Sequence, residues 1–238
     1  MSEEEQTKDG GAESAVSQTY LTDELVRETH ALAENILSET EQVVLGKRPV
    51  LEMVMVGVMA GGNILFEDNP GLAKTLLANT FARVLGCKFK RVQFTPDLLP
   101  ADITGIYIFD RKANDFAFRP GPLFCNILLA DEINRAPPKT QAALLEAMQE
   151  QQVTLEGETH QLPQPFITIA TQNPIESEGT YPLPEAQLDR FMMKLSVGYP
   201  GRPIERAIII KRMQRMQDEH DVHALASPEK LLEMQASL

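Results

Sequence analysis

The sequence has no tryptophan, two cysteines and no apolar run long enough to cross a bilayer, since its most apolar window covers only residues 53–60. Neither Cys87 nor Cys125 has a CxxC or Cys/His partner spacing, which argues against a zinc site and against a secreted disulfide framework. The N-terminus begins Met-Ser-Glu-Glu-Glu, the reverse of the basic start of a secretory signal. These absences predict a soluble, cytoplasmic protein without a membrane span.

Positive charge is scarce at one end of the chain. The 238 residues carry a net charge of −12; residues 1–41 hold eleven acids against two bases, whereas the other 197 residues hold 23 acids against 20 bases. Residues 1–19 are polar with little to bury, so we expect a disordered acidic tail. The nearly neutral body argues against broad binding of nucleic acid, because that binding relies on many Lys and Arg contacts to phosphate.

From residue 63 onwards, apolar strands alternate with helical segments. This alternation predicts an α/β fold with a parallel sheet covered on both faces. The expected strands are residues 63–66, 89–94, 127–130, 166–171 and 193–197. The expected helices run from residue 23 through 37 and over 48–60, 74–85, 140–150 and 203–217, with another starting near 227–229. Two hairpins are expected, at residues 106–118 and 153–162.

The segment after the first strand resembles a phosphate-binding loop in its chemistry. Lys74 and Thr75 stand where a Gly-x-x-x-x-Gly-Lys-Thr motif has them, but Asp68 and Ala73 occupy the two glycine positions. A tight turn at Pro70-Gly71 followed by a helix N-terminus would direct amide groups at an anion. The lysine would then reach phosphates and the threonine Mg²⁺. The alternative is an ordinary strand–turn–helix with a surface lysine.

Polar residues flank three later strands. Asp131 and Glu132 end the strand at 127–130, as a Mg²⁺-associated acid and a water-activating acid do in P-loop ATPases. Asn173 follows the next strand and could orient water, and Arg190 precedes the last strand and could act on a neighbouring subunit's nucleotide. The alternatives are solvated turn acids, a turn-forming Asn-Pro and a surface arginine.

Six longer segments occur in one order along the chain: DNPGLAKT (68–75), QFTPDLLPADITG (93–105), DEINRAPPK (131–139), ALLEAM (143–148), ATQNP (170–174) and YPLPEAQLDRF (181–191). Together they closely resemble the MoxR family of AAA+ ATPases, in the helix-2-insert clade, over residues 43–213. The resemblance implies a three-layer αβα sandwich with a five-stranded parallel sheet. The hairpin at 106–118 would be the helix-2 insert, and the hairpin at 153–162 the pre-sensor hairpin.

The resemblance also implies a site for ATP and Mg²⁺. Glu132, Asn173 and Arg190 would be catalytic, and Thr75 and Asp131 would hold the metal. The nucleotide would be bound by Val44, Gly46, Asn69, Pro70, Gly71, Leu72, Ala73, Lys74, Thr75 and Leu76. Residues 20–198 would form the nucleotide-binding core and residues 199–238 the start of an incomplete helical lid, in which no Gly-Ala-Ser-Pro-Arg motif occurs.

By the same resemblance, the protein would be an ATP-hydrolysing, chaperone-like remodelling or maturation factor. It would act as a hexameric ring with a von Willebrand factor A-type partner and a protein client. Two alternatives stay open: a nucleotide-binding adaptor with little turnover, and a nucleic-acid-associated motor of the same clade. A GTPase would need an Asn/Thr-Lys-x-Asp segment, which the sequence lacks, and Glu132 directly after Asp131 favours water over a kinase substrate as the nucleophile.

Overall fold

The computed structural model describes residues 23–69, 71–174, 179–215 and 221–237. The predicted tail at 1–19 and Pro70 lie outside these residues. The strands are β1 (Ile64–Glu67), β2 (Phe89–Gln93), β3 (Gly105–Asp110), β4 (Asp115–Pro120), β5 (Ile127–Asp131), β6 (Gln152–Leu155), β7 (Glu158–Gln161), β8 (Ile167–Gln172) and β9 (Met193–Leu195). The helices are α1 (Asp23–Glu41), α2 (Arg48–Met59), α3 (Lys74–Val84), α4 (Pro100–Thr104), α5 (Pro138–Glu150), α6 (Glu185–Leu188), α7 (Arg202–Arg215) and α8 (Pro228–Ala236).

Five strands form one parallel sheet in the order β2-β5-β8-β1-β9. Because successive side chains of a strand point to opposite faces of the sheet, a continuous apolar strand contributes side chains to the hydrophobic cores on both faces. In β5, Ile127 and Leu129 pack with residues of α1, α2 and α3. Leu128 and Ala130 pack on the other face, with residues of α5. The predicted α/β sandwich with helices on both faces is confirmed.

Both predicted hairpins are present as separate two-stranded antiparallel sheets. β3 pairs with β4, and β6 pairs with β7. The two hairpins touch through aromatic rings, because Phe118 of β4 stacks on His160 of β7 with 4.0 Å between ring centroids. Tyr107 of β3 donates a hydrogen bond to Glu158 at 2.6 Å. The insertions therefore support one another at one side of the sheet.

The predicted element boundaries differ from the observed ones by a few residues at most, and the differences have local causes. α5 begins at Pro138 rather than at residue 140, because proline is well suited to the first turn of a helix. β9 ends at Leu195 rather than at 197, because the next backbone groups bond to side chains instead of to a strand. The short helices α4 and α6 were not predicted, since one turn shows no apolar periodicity. The predicted end of α7 at residue 217 lies outside the described residues.

The C-terminal part of the described chain returns to the core. α8 begins after Ser227, whose hydroxyl accepts a hydrogen bond from the Lys230 amide. Leu231 and Met234 of α8 are buried in the same core as α2. Among the described helices, none combines the length and the apolar character needed to cross a bilayer.

Candidate nucleotide-binding site

The loop between β1 and α3 holds its lysine inside the protein. Lys74 is 8% exposed, and its ammonium donates a hydrogen bond to the Asp68 carbonyl at 3.0 Å. Burial lowers the pKa of Lys74, while the nearby carboxylates of Asp68, Asp131 and Glu132 oppose that shift. The ammonium is thus directed into the loop rather than to the surface, unlike the surface lysine considered from the sequence.

The two non-glycine residues of the loop behave differently. Ala73, at the second glycine position, has φ 57°, a left-handed conformation that costs a non-glycine residue about 1 kcal/mol and explains why glycine is usual there. Asp68, at the first position, is not left-handed, so its backbone does not require glycine. Its carboxylate accepts hydrogen bonds from the Ser196 hydroxyl at 2.8 Å and from the Val197 amide.

The two acids at the end of β5 are fixed by one threonine of the adjacent strand β8. The Thr171 hydroxyl donates to the Asp131 carboxylate at 2.6 Å and accepts from the Glu132 amide at 2.9 Å. Glu132 itself has φ 55°, which turns its side chain away from the direction of the strand. Thr171 is 1% exposed, so this pair of hydrogen bonds is shielded from water.

Cationic and amide side chains contact both acids. Arg91 of β2 forms an ion pair with Asp131 at 2.6 Å, and Gln93 of the same strand donates to Glu132 at 2.7 Å. Arg135, in the short 3-10 turn after β5, pairs with Glu132 at 2.8 Å. No role was predicted for these three residues from the sequence. β2 lies next to β5, which brings Arg91 and Gln93 to the acids, whereas Arg135 is three residues from Glu132 along the chain.

The carboxyl ends of the strands meet at a cavity of about 480 Å³ beside the loop. It brings together most of the predicted site residues: Gly71, Leu72, Ala73, Lys74, Thr75, Leu76, Asp131, Glu132 and Asn173. Arg91, Gln93 and Thr171 line it too. Asn69 follows Asp68 in the loop but is not one of the lining residues. The cavity therefore joins a helix N-terminus, a buried ammonium and two carboxylates, as phosphate chemistry requires.

A second cavity of about 430 Å³ adjoins the first, and it is mostly apolar. The two cavities share part of the loop, Gly71–Ala73 and Leu76. Val44, one of the residues predicted to bind the nucleotide, lines this cavity, while Gly46, another of them, does not. A Cβ on Gly46 would lie 2.8 Å from Ile204, so this glycine permits the close approach of α7. The pair of cavities suits a molecule with an anionic end and a flat apolar end.

Arg190 lies away from the other predicted site residues. Its guanidinium donates to the Leu145 carbonyl of α5 at 2.8 Å. It lines a different cavity of about 550 Å³, together with Glu146 and Gln149 of α5. Within one chain, Arg190 is therefore not brought to the loop that holds Lys74.

Comparison with known proteins agrees with this architecture. Residues 63–193 match the ATPase family associated with various cellular activities (AAA). The chain is 53% identical to YeaC of Bacillus subtilis over 172 residues, which cover 72% of this chain and 54% of that protein. It is 51% identical to Chaperone MoxR1 of Mycobacterium tuberculosis over 187 residues, covering 79% and 49%. The chain thus spans about half the length of the curated relatives it matches.

A solved structure supports the same assignment. The crystal structure of a "putative ATPase" from Cytophaga hutchinsonii has a TM-score of 0.81 and 43% identity to this chain, covering 90% of it and 64% of the solved chain. The parallel sheet, the helices on both faces and the strand–loop–helix with Lys74 define an AAA-type α/β fold. The chain belongs to the MoxR family of AAA+ ATPases.

The oxygen donors at the first cavity fit a magnesium ion. The Thr75 hydroxyl and the Asp131 carboxylate both line it, and hard oxygen ligands are those that Mg²⁺ prefers. One oxygen of Asp131 accepts a hydrogen bond from Thr171 and the other pairs with Arg91, so the ion would share that second oxygen with Arg91 or displace the arginine. The donor set needs only two protein ligands, as is usual where phosphates and water supply the others.

We expect Thr171→Val to lower the free energy of unfolding by about 1–3 kcal/mol. The change keeps the shape of the side chain but leaves the Glu132 amide and the Asp131 carboxylate without their shared partner. Urea denaturation measures the difference. Thr168→Val on the same strand is the matched control, because the buried Thr168 hydroxyl has no hydrogen-bond partner among the described residues. Equal stability of the two variants would contradict the bridging role of Thr171.

Proposed function

We propose that this chain binds ATP with Mg²⁺ and hydrolyses it, as the motor part of a chaperone-like remodelling or maturation factor. The observation that carries the proposal is the convergence of Lys74, Asp131, Glu132 and Asn173 on one cavity, next to an apolar cavity lined by Val44. The polyphosphate would lie at the N-terminus of α3 and the base against the apolar wall.

Binding of the phosphates would rest on two features of the chain. The buried Lys74 ammonium supplies positive charge, and the first amides of α3 supply hydrogen bonds together with the positive end of the helix dipole. Thr75 and Asp131 would hold Mg²⁺, which neutralises charge on the phosphate oxygens when it is bound.

Hydrolysis would use the acid that follows Asp131. Glu132 would accept a proton from water as the water oxygen forms a bond to the γ-phosphorus. The bond from that phosphorus to the bridging oxygen breaks, and ADP leaves with the electron pair while inorganic phosphate forms. Asn173 would help to orient the water. In the described structure, Gln93 and Arg135 hold the Glu132 carboxylate, so it would have to exchange partners to reach the water.

Assembly and partners extend the proposal beyond this chain. A hexameric ring would bring Arg190 of one subunit to the nucleotide of the next, which suits its distance from the loop in its own chain. The name of the relative Chaperone MoxR1 supports a chaperone-like role. The resemblance to MoxR proteins favours a von Willebrand factor A-type partner, a protein client and a cytoplasmic location.

Two other functions compete with this one. Asp68 in place of a glycine would suit an adaptor with little turnover, but Asp68 turns its carboxylate toward Ser196 and Val197 instead of into the loop. A nucleic-acid-associated motor would need a positive surface, whereas the 197 residues after residue 41 hold 23 acids against 20 bases. The first observation favours hydrolysis of ATP over binding alone, and the second favours a protein over a nucleic acid as the target.

We expect Lys74→Ala to weaken ATP and ADP binding by about 10- to 100-fold. Loss of one charge-assisted contact to phosphate costs about 1.5–3 kcal/mol, and each 1.4 kcal/mol is a factor of ten. Isothermal calorimetry of both nucleotides measures the change. Lys88→Ala is the control, because this exposed lysine directly precedes β2 and therefore lies at the amino ends of the parallel strands, away from the cavity at their carboxyl ends. Unchanged dissociation constants in Lys74→Ala would overturn the assignment of the phosphate site.

A further inference from the structure

The backbone at Val197 and Gly198 is held from two sides by charged side chains. The Lys47 ammonium donates hydrogen bonds to the carbonyls of Val197 and Gly198, both at 2.8 Å. From the other side, the Asp68 carboxylate accepts from the Val197 amide and from the Ser196 hydroxyl. Such charge-assisted contacts are about twice as strong as neutral ones.

These side chains come from two different walls of the candidate site. Lys47 follows the segment 43–45, which lines the apolar cavity, and Lys47 lines that cavity itself. Asp68 lies at the end of β1, where the phosphate loop begins, and lines the first cavity. The segment they hold, at 197–198, lines the apolar cavity and leads into α7, which adds Ile208 to the same wall.

The burial of Asp68 indicates that the hydrogen bonds of its carboxylate are part of the folded structure and not a chance surface contact. Asp68 is 9% exposed, and a charge so far from water is costly unless hydrogen bonds satisfy it. Its oxygens point to the 196–198 backbone and not to the Lys74 ammonium, which contacts the Asp68 carbonyl instead. Asp68, a residue type unusual for a phosphate loop, thus holds the segment that borders the apolar cavity.

We propose that Asp68 and Lys47 act as a backbone clamp, defined as these two side chains holding residues 197–198, that sets the width of the apolar cavity. Both are then positioning residues that govern which base the site accepts. The inference rests on the proposed nucleotide site and concerns the base, whereas Lys74 concerns the phosphates. Two nucleotides with the same phosphates and different bases separate the two effects.

The test compares the dissociation constants of ADP and CDP for the full chain. In the parent we expect ADP to bind more tightly, because a purine fills more of the apolar cavity. In Asp68→Asn and in Lys47→Met the ratio of the CDP constant to the ADP constant should fall at least threefold, mainly through weaker ADP binding. Lys47→Arg keeps the donors and should retain most of the parent ratio.

Two control variants distinguish failure of the proposed clamp from failure of the proposed nucleotide site. Glu67 is a neighbouring carboxylate that joins β1 to β9 through Lys194 but lines neither cavity. The variant Glu67→Gln should therefore leave the ratio of the CDP and ADP constants unchanged. Lys74→Ala should weaken ADP and CDP equally. An unchanged ratio in both clamp variants, or a parent that does not distinguish the two nucleotides, overturns the clamp while leaving the phosphate site intact. Failure of Lys74→Ala to weaken either nucleotide overturns the proposed function instead.

Because the two clamp residues hold one segment, their effects should not add. The double variant Asp68→Asn/Lys47→Met should change the ratio no more than about twofold beyond the larger single change, since either loss already frees the backbone. Amide hydrogen exchange at Val197 provides a reading that does not depend on ligand, and it should accelerate in Asp68→Asn but not in Glu67→Gln. Fully additive effects together with unchanged exchange would contradict a shared clamp.

Discussion

Glu132→Gln is expected to bind ATP as the parent does and to hydrolyse it about 100-fold more slowly or worse. The amide keeps the size of the side chain and one oxygen acceptor, so the contact from Gln93 can persist. It cannot take a proton from water, however, and general-base catalysis contributes about 10²–10⁴-fold. Binding and chemistry should therefore separate in this variant.

The measurement pairs calorimetry of ATP binding with steady-state release of phosphate. Glu156→Gln is the matched control, because this glutamate lies in the turn between β6 and β7 and lines neither cavity of the candidate site. Normal turnover in Glu132→Gln would assign the activation of water to another residue. A parent that binds ATP but releases no phosphate would favour the nucleotide-binding adaptor.

Much of this architecture was predictable because it is local. A continuous apolar run such as the one in β5 indicates a buried strand, and the polar residues after it fall at the edge where a parallel sheet binds ligands. Asp131 and Asn173 were predicted from such strand ends and Lys74 from the spacing of a phosphate-loop motif, and the structure brings all three to one cavity. The helix boundaries were also close, because apolar spacing and Ser227 mark them, although the start of α5 at Pro138 was predicted two residues late.

The rest depends on contacts between distant parts of the chain. Arg91 and Gln93 reach the acids because β2 lies beside β5, and strand order is not encoded in any short segment. Val197, whose amide donates to Asp68, is 129 residues away along the chain. From the sequence, Asp68 could therefore be recognised only as a departure from the glycine that is usual at this position of the loop. Thr171 belongs to the segment ATQNP at 170–174, but its hydrogen bond to Asp131 follows only from the position of β8 next to β5.

Of the three predicted catalytic residues, Arg190 is the one that its own chain does not bring to the cavity, and its position favours an action between subunits. Its guanidinium contacts the Leu145 carbonyl and lines a cavity with Glu146, on α5. An arginine that serves only a neighbour's nucleotide leaves its own site complete for binding. A surface arginine would affect neither binding nor turnover.

Arg190→Ala is therefore expected to bind ATP about as tightly as the parent and to lose about 1,000-fold in turnover, the lower range for arginine fingers. Arg83→Ala, an exposed position on α3, is the control and should keep full turnover. Phosphate release is measured under conditions where light scattering shows that the parent and the variant are oligomeric. Full activity of Arg190→Ala in such an assembly would remove this residue from the site.

Mixing two inactive variants decides where the arginine acts. Subunits with Arg190→Ala still have Glu132, and subunits with Glu132→Gln still have Arg190. In a mixed ring some interfaces join an intact Glu132 on the nucleotide-bearing subunit to an intact Arg190 on its neighbour, which neither variant can form alone. We expect part of the parent turnover to return, with a maximum near equal amounts of the two variants. An arginine that acted within its own chain would give no recovery at any ratio, because every subunit would then carry one defect in its own site.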